Sequence, residues 1–306
     1  IGHRVVHGGE QYRDSVRITP KTIATIQKLA ELAPLHNPPN LKGILACKKL
    51  LKKAPQIAVF DTAFHETLPE KAFIYALPYE LYTRHGIRRY GFHGTSHKYV
   101  SEQAAKILKK KNLKIVSCHL GNGSSVAAIM NGKSVDTSMG LTPLEGLPMG
   151  TRSGDIDPAI IFHLLKQHKK TPEQIETMLI KEAGLKGISG ISSDVRILLS
   201  SVRKRNKRAE LTFEVLCYRI AKYIGSYAAA MNGLDAIIFT AGIGEHAYYL
   251  RSDICKYLGF LGVKIDEQNN KKNALVVSAK TSTIKVLVIP TNEEEAIANE
   301  TLRVLK

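Results

Sequence analysis

"LKIVSCHLGNGSSVAAIMNGKSVDT", from Leu113 to Thr137, decides the fold class. Residues from about Lys114 to Leu120 read as a strand that meets a Gly121-Asn122-Gly123 turn. A second strand follows, and Asn131-Gly132 is a two-residue hairpin turn into a third. Strands linked in this way, with a Gly-rich turn at a polar tip, are a more specific signal than a lone pair of glycines. Helical and strand patterns alternate on either side of the segment, which predicts a mixed α/β fold.

Upstream, Thr22 to Ala33 has helical periodicity and leads to "APLHNPPN", read as a Pro-rich loop holding His36. A helix over about Leu41 to Lys53 precedes "QIAVFDTAF", a continuous apolar strand that presents Asp61 at its tip. After "YGFHGTSH" a helix places Val100, Ala104, Ile107 and Leu108 on one face. Thr95 or Ser96 is expected to cap it, leaving His93 just before the helix and His97 in its first turn. With no third ligand nearby in sequence, the two histidines read as one working residue and one supporting residue, not as a metal pair.

Downstream, "GLTPLEGLPMGTRSGDIDP" is a loop long enough to suggest a functional role. Thr171 and Gln174 form a capping-box pattern for a helix stopping near Gly184. A long helix from about Ala209 to Met231 ends at Asn232-Gly233. "DAIIFTAGIGEH" is a buried strand entering a Gly-rich turn, and "IKVLVIP" is a last strand before a terminal helix with acids in its first turn.

The 306 residues favour two domains. Cys47, Cys118, Cys217 and Cys255 are scattered and read as reduced thiols, favouring neither zinc nor disulfides. No apolar run approaches the length needed to cross a bilayer, and the expected location is the cytoplasm. The net charge of +17 invites a nucleic-acid reading, but the densest cluster, "RKRNKR" from Arg203 to Arg208, has no interleaved aromatics and reads as a solvated loop. Neither a nucleic-acid nor a membrane partner is expected.

Three Gly-rich turns follow predicted strands: Gly121 to Gly123, Gly140 to Gly150 and Gly242 to Gly244. Such turns let backbone N–H groups approach phosphate oxygens. With arginines and carboxylates at strand tips they point to a nucleotide, and Asp61 with Glu293 to Glu295 would suit magnesium held partly by phosphates. Nothing resembles a nucleophile elbow, so the chemistry is positioning and charge neutralisation, as in phosphoryl transfer.

"GHRVVHGGE", "FDTAFH", "YGFHGTSH", "CHLGNGSS", "TSMGLTPLEGLPMGTRSGDIDP", "GIGE" and "PTNEE", in this order, resemble the acetate kinase family across essentially the whole chain. The resemblance implies two ribonuclease-H-like domains of the actin-like ATPase type. The first would be incomplete, comprising residues 1–65 plus 295–306, and the second would fill 66–294 and form a homodimer. It implies transfer of phosphate between ATP and acetate, giving ADP and acetyl phosphate, with Mg²⁺. By this resemblance Arg4 would hold the acetate carboxylate, with His36 beside it, and Val6, Leu35, Phe92 and Pro143 would line the methyl pocket. Asp61, His93 and Arg152 would be catalytic, and Glu293 would bind the metal. His119, Leu120, Gly121, Asn122 and Gly123 would contact ATP phosphates. Asp194, Val195 and Arg196, with Gly242, Ile243, Gly244, Glu245 and His246, would contact the adenosine part.

Acetate, with a pKa near ~4–5, is already ionised at neutral pH, so Asp61 is expected to order metal, water or arginine instead of abstracting a proton. Two positions depart from the family pattern: His246, where Asn is usual, and Ile197, where an acid commonly follows the arginine. Family members also begin with a strand and a Gly-Ser-rich phosphate loop, which is not found before Arg4. The 306-residue chain alone is therefore expected to turn over ATP and acetate poorly. The alternatives are a propionate or butyrate kinase of the same family and a non-catalytic nucleotide-binding remnant.

Overall fold

A computed structural model describes residues 1–33 and 36–306. Leu35, expected in the methyl pocket, lies outside the described residues. The strands form two sheets. In the smaller, β3 (Ile57–Phe60) lies between β1 (Gly2–Val5), parallel to it, and β2 (Val16–Arg17), antiparallel. The larger has the order β6-β5-β4-β7-β8. Its strands are β4 (Lys114–Leu120), β5 (Ser124–Met130), β6 (Lys133–Thr137), β7 (Ala236–Thr240) and β8 (Lys285–Val288). The β4–β5–β6 meander is antiparallel, whereas β7 and β8 are parallel additions to β4. Asn131 and Gly132 make the β5–β6 turn with φ of 54° and 77°, the left-handed pair that a two-residue hairpin requires.

Side-chain alternation divides the larger sheet into two buried faces. Val116, Cys118, Leu120, Val126, Ala128, Ile237 and Phe239 pack with the long helix Lys207–Ala230 and with Tyr248–Lys256. Ile115, Ala127, Ile129, Ile238 and Leu287 pack instead on the helix Gly94–Leu108, through Val100 and Ala104. His119 stands opposite Ser125 in the β4–β5 ladder, so Ser117, His119 and Ser125 share the face turned toward Gly94–Leu108. Polar residues are thus placed at the carboxyl end of an otherwise apolar layer. The terminal helix Glu293–Leu305 approaches β1, with Ile297 and Thr301 against Gly2.

Several sequence expectations are corrected here. The segment read as a Pro-rich loop opens a helix, Asn37–Leu50, with its prolines in the first turn, where a missing N–H costs no helical hydrogen bond. The turn expected at Gly242 to Gly244 lies within a short helix, Ala241–His246. Neither Thr95 nor Ser96 caps Gly94–Leu108: His93 occupies the cap position with φ 55°, and both hydroxyls bond elsewhere. The capping box of Thr171 and Gln174 is present, but its helix, Pro172–Thr177, continues as a π-turn over Met178–Glu182.

Candidate active site

The strand tips of both sheets and the first turn of Gly94–Leu108 bring the central residues together. Asp61, directly after β3, is buried, and one of its oxygens accepts two hydrogen bonds from Arg4, at 2.9 Å from Nε and 2.6 Å from Nη2. Its other oxygen accepts from the Thr95 hydroxyl at 3.3 Å. Arg4 also lies 3.8 Å from Glu293 and keeps 44% of its side chain exposed, leaving Nη1 for a ligand. Burial, and after it the nearby Asp61, raises the pKa of Glu293.

His93 and His119 stack with ring centroids 4.2 Å apart. His93 Nδ1 meets the Ser125 hydroxyl at 2.9 Å, and His119 Nδ1 meets that of Ser96 at 2.8 Å. Thr291 in turn donates to Ser96 at 2.8 Å. Burial pulls His119 down to about 4 and holds His93 well below the usual histidine range, so both rings are neutral at pH 7. A Cβ on Gly123 would sit 3.4 Å from His93 Nε2 and 3.6 Å from Arg152 Nη1, so both groups border the Gly121–Gly123 turn. Arg152 is anchored by the Pro143 carbonyl at 3.1 Å. The Asn122 carbonyl accepts from Gly150 N–H at 3.1 Å, which ties the long loop to the same turn.

Val6 and Phe92 share a small buried cluster with Ala33, Met139 and Met149. Arg152 Nη1 links Pro143 to this region, bonding the Pro143 carbonyl and lying 3.6 Å from Met149 Sδ. His36 sits at the start of Asn37–Leu50, and its pKa is lowered by burial first and then by Arg152 and Arg4, which places it near both. The adenosine candidates lie on two further helices, of which Ala241–His246 adjoins the glycine turn, a Cβ on Gly121 standing 3.9 Å from that of Ala241. Asp194 caps the helix Val195–Arg203 and is pulled down to about 2 by its hydrogen bonds from Arg196, itself largely exposed. In Ala241–His246, Gly242 and His246 are exposed while Glu245 accepts from Thr291 N–H at 3.1 Å. Ile197 is half exposed. In the basic cluster, Arg208 bonds the carbonyls of Gly187 and Ile188, and so serves the packing of its own helix.

Two positioning residues carry no sign in the sequence. Asn37 accepts from His7 N–H at 3.1 Å and donates to its carbonyl at 3.2 Å, pinning the chain after Val6. Arg251 is fully buried with no carboxylate partner, and burial pulls it down to about 10. Its donors reach the carbonyls of Gly244, Glu245 and Asn270 and the side-chain oxygens of Asn270 and Asn273, at 2.7–2.9 Å. It therefore closes the end of the Ala241–His246 helix. Arg251→Met should orphan these acceptors and cost about 3 kcal/mol or more, lowering Tm by roughly 6–12 °C. Scanning calorimetry checks this, and an unchanged Tm would refute it.

Neutral histidines, arginines and a glycine turn at adjoining strand tips of a mixed α/β fold are the donor set of a nucleotide-dependent phosphotransferase. Residues 1–299 match the family model described as the Acetokinase family. Acetate kinases of Halothermothrix orenii and Clostridium novyi are 56% and 54% identical over 310 residues, covering all of this chain and 78% and 77% of theirs. The crystal structure of Porphyromonas gingivalis acetate kinase superposes with a TM-score of 0.96 at 47% identity, over 100% of this chain and 78% of that one. That of a propionate kinase from Francisella tularensis gives 0.95 at 48%, over 98% and 78%. The chain belongs to the acetokinase family, and its reaction is phosphoryl transfer between ATP and acetate.

Proposed function

We propose that the γ-phosphoryl group passes directly to an acetate oxygen in the space bordered by Gly123, His93, Arg152 and Arg4. The observation that carries this reading is the convergence of His93 Nε2 and Arg152 Nη1 on one point beside Gly123. Acetate arrives ionised, so the barrier is the approach of two anions, and the donors to relieve it stand in place before substrate enters. Arg4, oriented by Asp61, holds the acetate carboxylate, with His36 nearby. Asp61 acts through Arg4 and Thr95 and not as a base, which the two hydrogen bonds to one of its oxygens support. The cluster around Val6 and Phe92, extended by Met139 and Met149, takes the methyl group.

Mg²⁺ suits the carboxylates present. Among the described residues no group of three or more His, Cys, Asp or Glu lies together in a way that could hold a metal ion. Glu293 would hold Mg²⁺ beside Asp61, where the two acids share Arg4 as counter-charge. When bound, the ion would neutralise phosphate charge. His119 to Gly123 face the phosphates, while Asp194 to Arg196 and Gly242 to His246 receive the adenosine part. Division into residues 1–65 plus 295–306 and 66–294 is supported by the two separate sheets. A homodimer through the larger unit and a cytoplasmic location belong to the same reading. No helix among the described residues is long and apolar enough to cross a membrane.

Gly123→Ala tests the proposal. The added methyl meets nothing closer than 3.4 Å, so the fold and Tm should be kept. It stands between the two donors, and the misplacement of the phosphoryl group should cut kcat/KM for ATP by roughly 10–100-fold. Full activity in this variant would place the reacting group elsewhere.

A further inference from the structure

His93 is tied to a chain of buried groups that runs away from the cleft. Ser125 Oγ lies 2.9 Å from His93 Nδ1 and 2.8 Å from His97 Nε2, and His97 Nδ1 lies 3.0 Å from Ser117 Oγ. Ser117, His97 and Ser125 are fully buried. Burial holds the pKa of His93 and His97 well below the usual range, so each ring carries one proton.

We propose that Ser117, His97 and Ser125 form a one-way hydrogen-bond relay that fixes His93 with its proton on Nε2, facing the phosphates. The direction follows from counting donors. If Ser117 donates to His97 Nδ1, then His97 Nε2–H donates to Ser125, Ser125 donates to His93 Nδ1, and His93 Nε2–H is left for the cleft. In the reverse order the Ser117 proton has no other acceptor within reach among the described residues. If both rings donate into Ser125, its own hydroxyl proton is stranded in the same way. Only the forward order leaves no buried donor unpaired.

That order also gives the cleft what the reaction needs, a neutral N–H aimed at anionic oxygen in place of a lone pair that would repel it. Ser117 and His97 touch no reacting group on this reading and act as positioning residues. The proposal rests on the assignment of His93 to the phosphoryl group, but the tautomer can be read without substrate.

Nitrogen-15 histidine NMR on the enzyme should show a single His93 species, protonated on Nε2 and bare on Nδ1. Ser125→Ala and Ser117→Ala should turn this into a mixture, with kcat falling on the order of tenfold, a fraction of the ~10⁴-fold loss that a fully wrong tautomer causes. KM for acetate should stay within about twofold, since a loss confined to the transition state lowers kcat alone. Ser117→Thr, which keeps the hydroxyl, should restore both signal and rate. A wild-type His93 protonated on Nδ1, or alanine variants with unchanged spectra and kcat, would overturn the relay. If the spectra behave as expected but His93→Ala keeps full turnover, the relay stands and the phosphoryl role of His93 falls.

Discussion

Replacing His93 by alanine is expected to slow phosphoryl transfer by about 10²–10³-fold, the usual cost of losing one preorganised donor to developing negative charge. ATP affinity should change little. On the proposed reading the phosphates retain Arg152 and the backbone of the Gly121–Gly123 turn, and His119 remains supported by Ser96 and Thr291. The imidazole is neutral, so its removal changes no net charge in the ground state. On the proposed reading its contribution is directional, through an N–H held beside Gly123 by the Ser125 contact. Single-turnover kinetics with calorimetric ATP binding separates the two effects. A rate loss that only parallels lost ATP binding would assign His93 to binding, not to the transition state.

The second large effect concerns stability in mild acid. Burial brings His7, His65 and His119 down to about 4, and holds His93 and His97 well below the ordinary value. The unfolded chain takes up protons on these groups near pH 6.5, whereas the folded chain resists until far lower. Folding stability is therefore whole above about pH 6.5 and falls as pH drops toward 4, each such histidine adding about 1.4 kcal/mol per pH unit inside that window. Denaturant midpoints at pH 7.5, 6 and 5 should fall steeply together. His65→Gln should remove about one proton from that slope, because His65 spans Ser134 and the Phe92 carbonyl without charge. Equal stability at pH 7.5 and 5 would show that these rings are not kept neutral by the fold.

The fold was legible where pattern and burial coincide. The strand from about Lys114 to Leu120 meeting a glycine turn, the left-handed Asn131-Gly132 turn and the apolar strand ending in Asp61 all carry local signals, and each reappears in the structure. His93 could be singled out because its Gly-Thr-Ser neighbours mark a loop giving way to a helix. The uses of Thr95 and Ser96 were not legible. Partners distant in sequence, Asp61, His119 and Thr291, recruit both hydroxyls away from the helix end. Arg251 gives no local sign either, since an arginine in an amphipathic helix reads as surface until its five acceptors are assembled. Asn37 and the first turn of its helix were hidden by two prolines that read as loop although a helix start tolerates them.

On the proposed reading the site carries out phosphoryl transfer fitted to the smallest carboxylate acceptor of the series. The most direct test of this reading is kcat/KM for acetate, propionate and butyrate with MgATP in one enzyme preparation. The methyl pocket around Val6, Phe92, Met139 and Met149 predicts acetate first, with each added methylene lowering kcat/KM by roughly 10–200-fold. Propionate or butyrate equal to or better than acetate would contradict it.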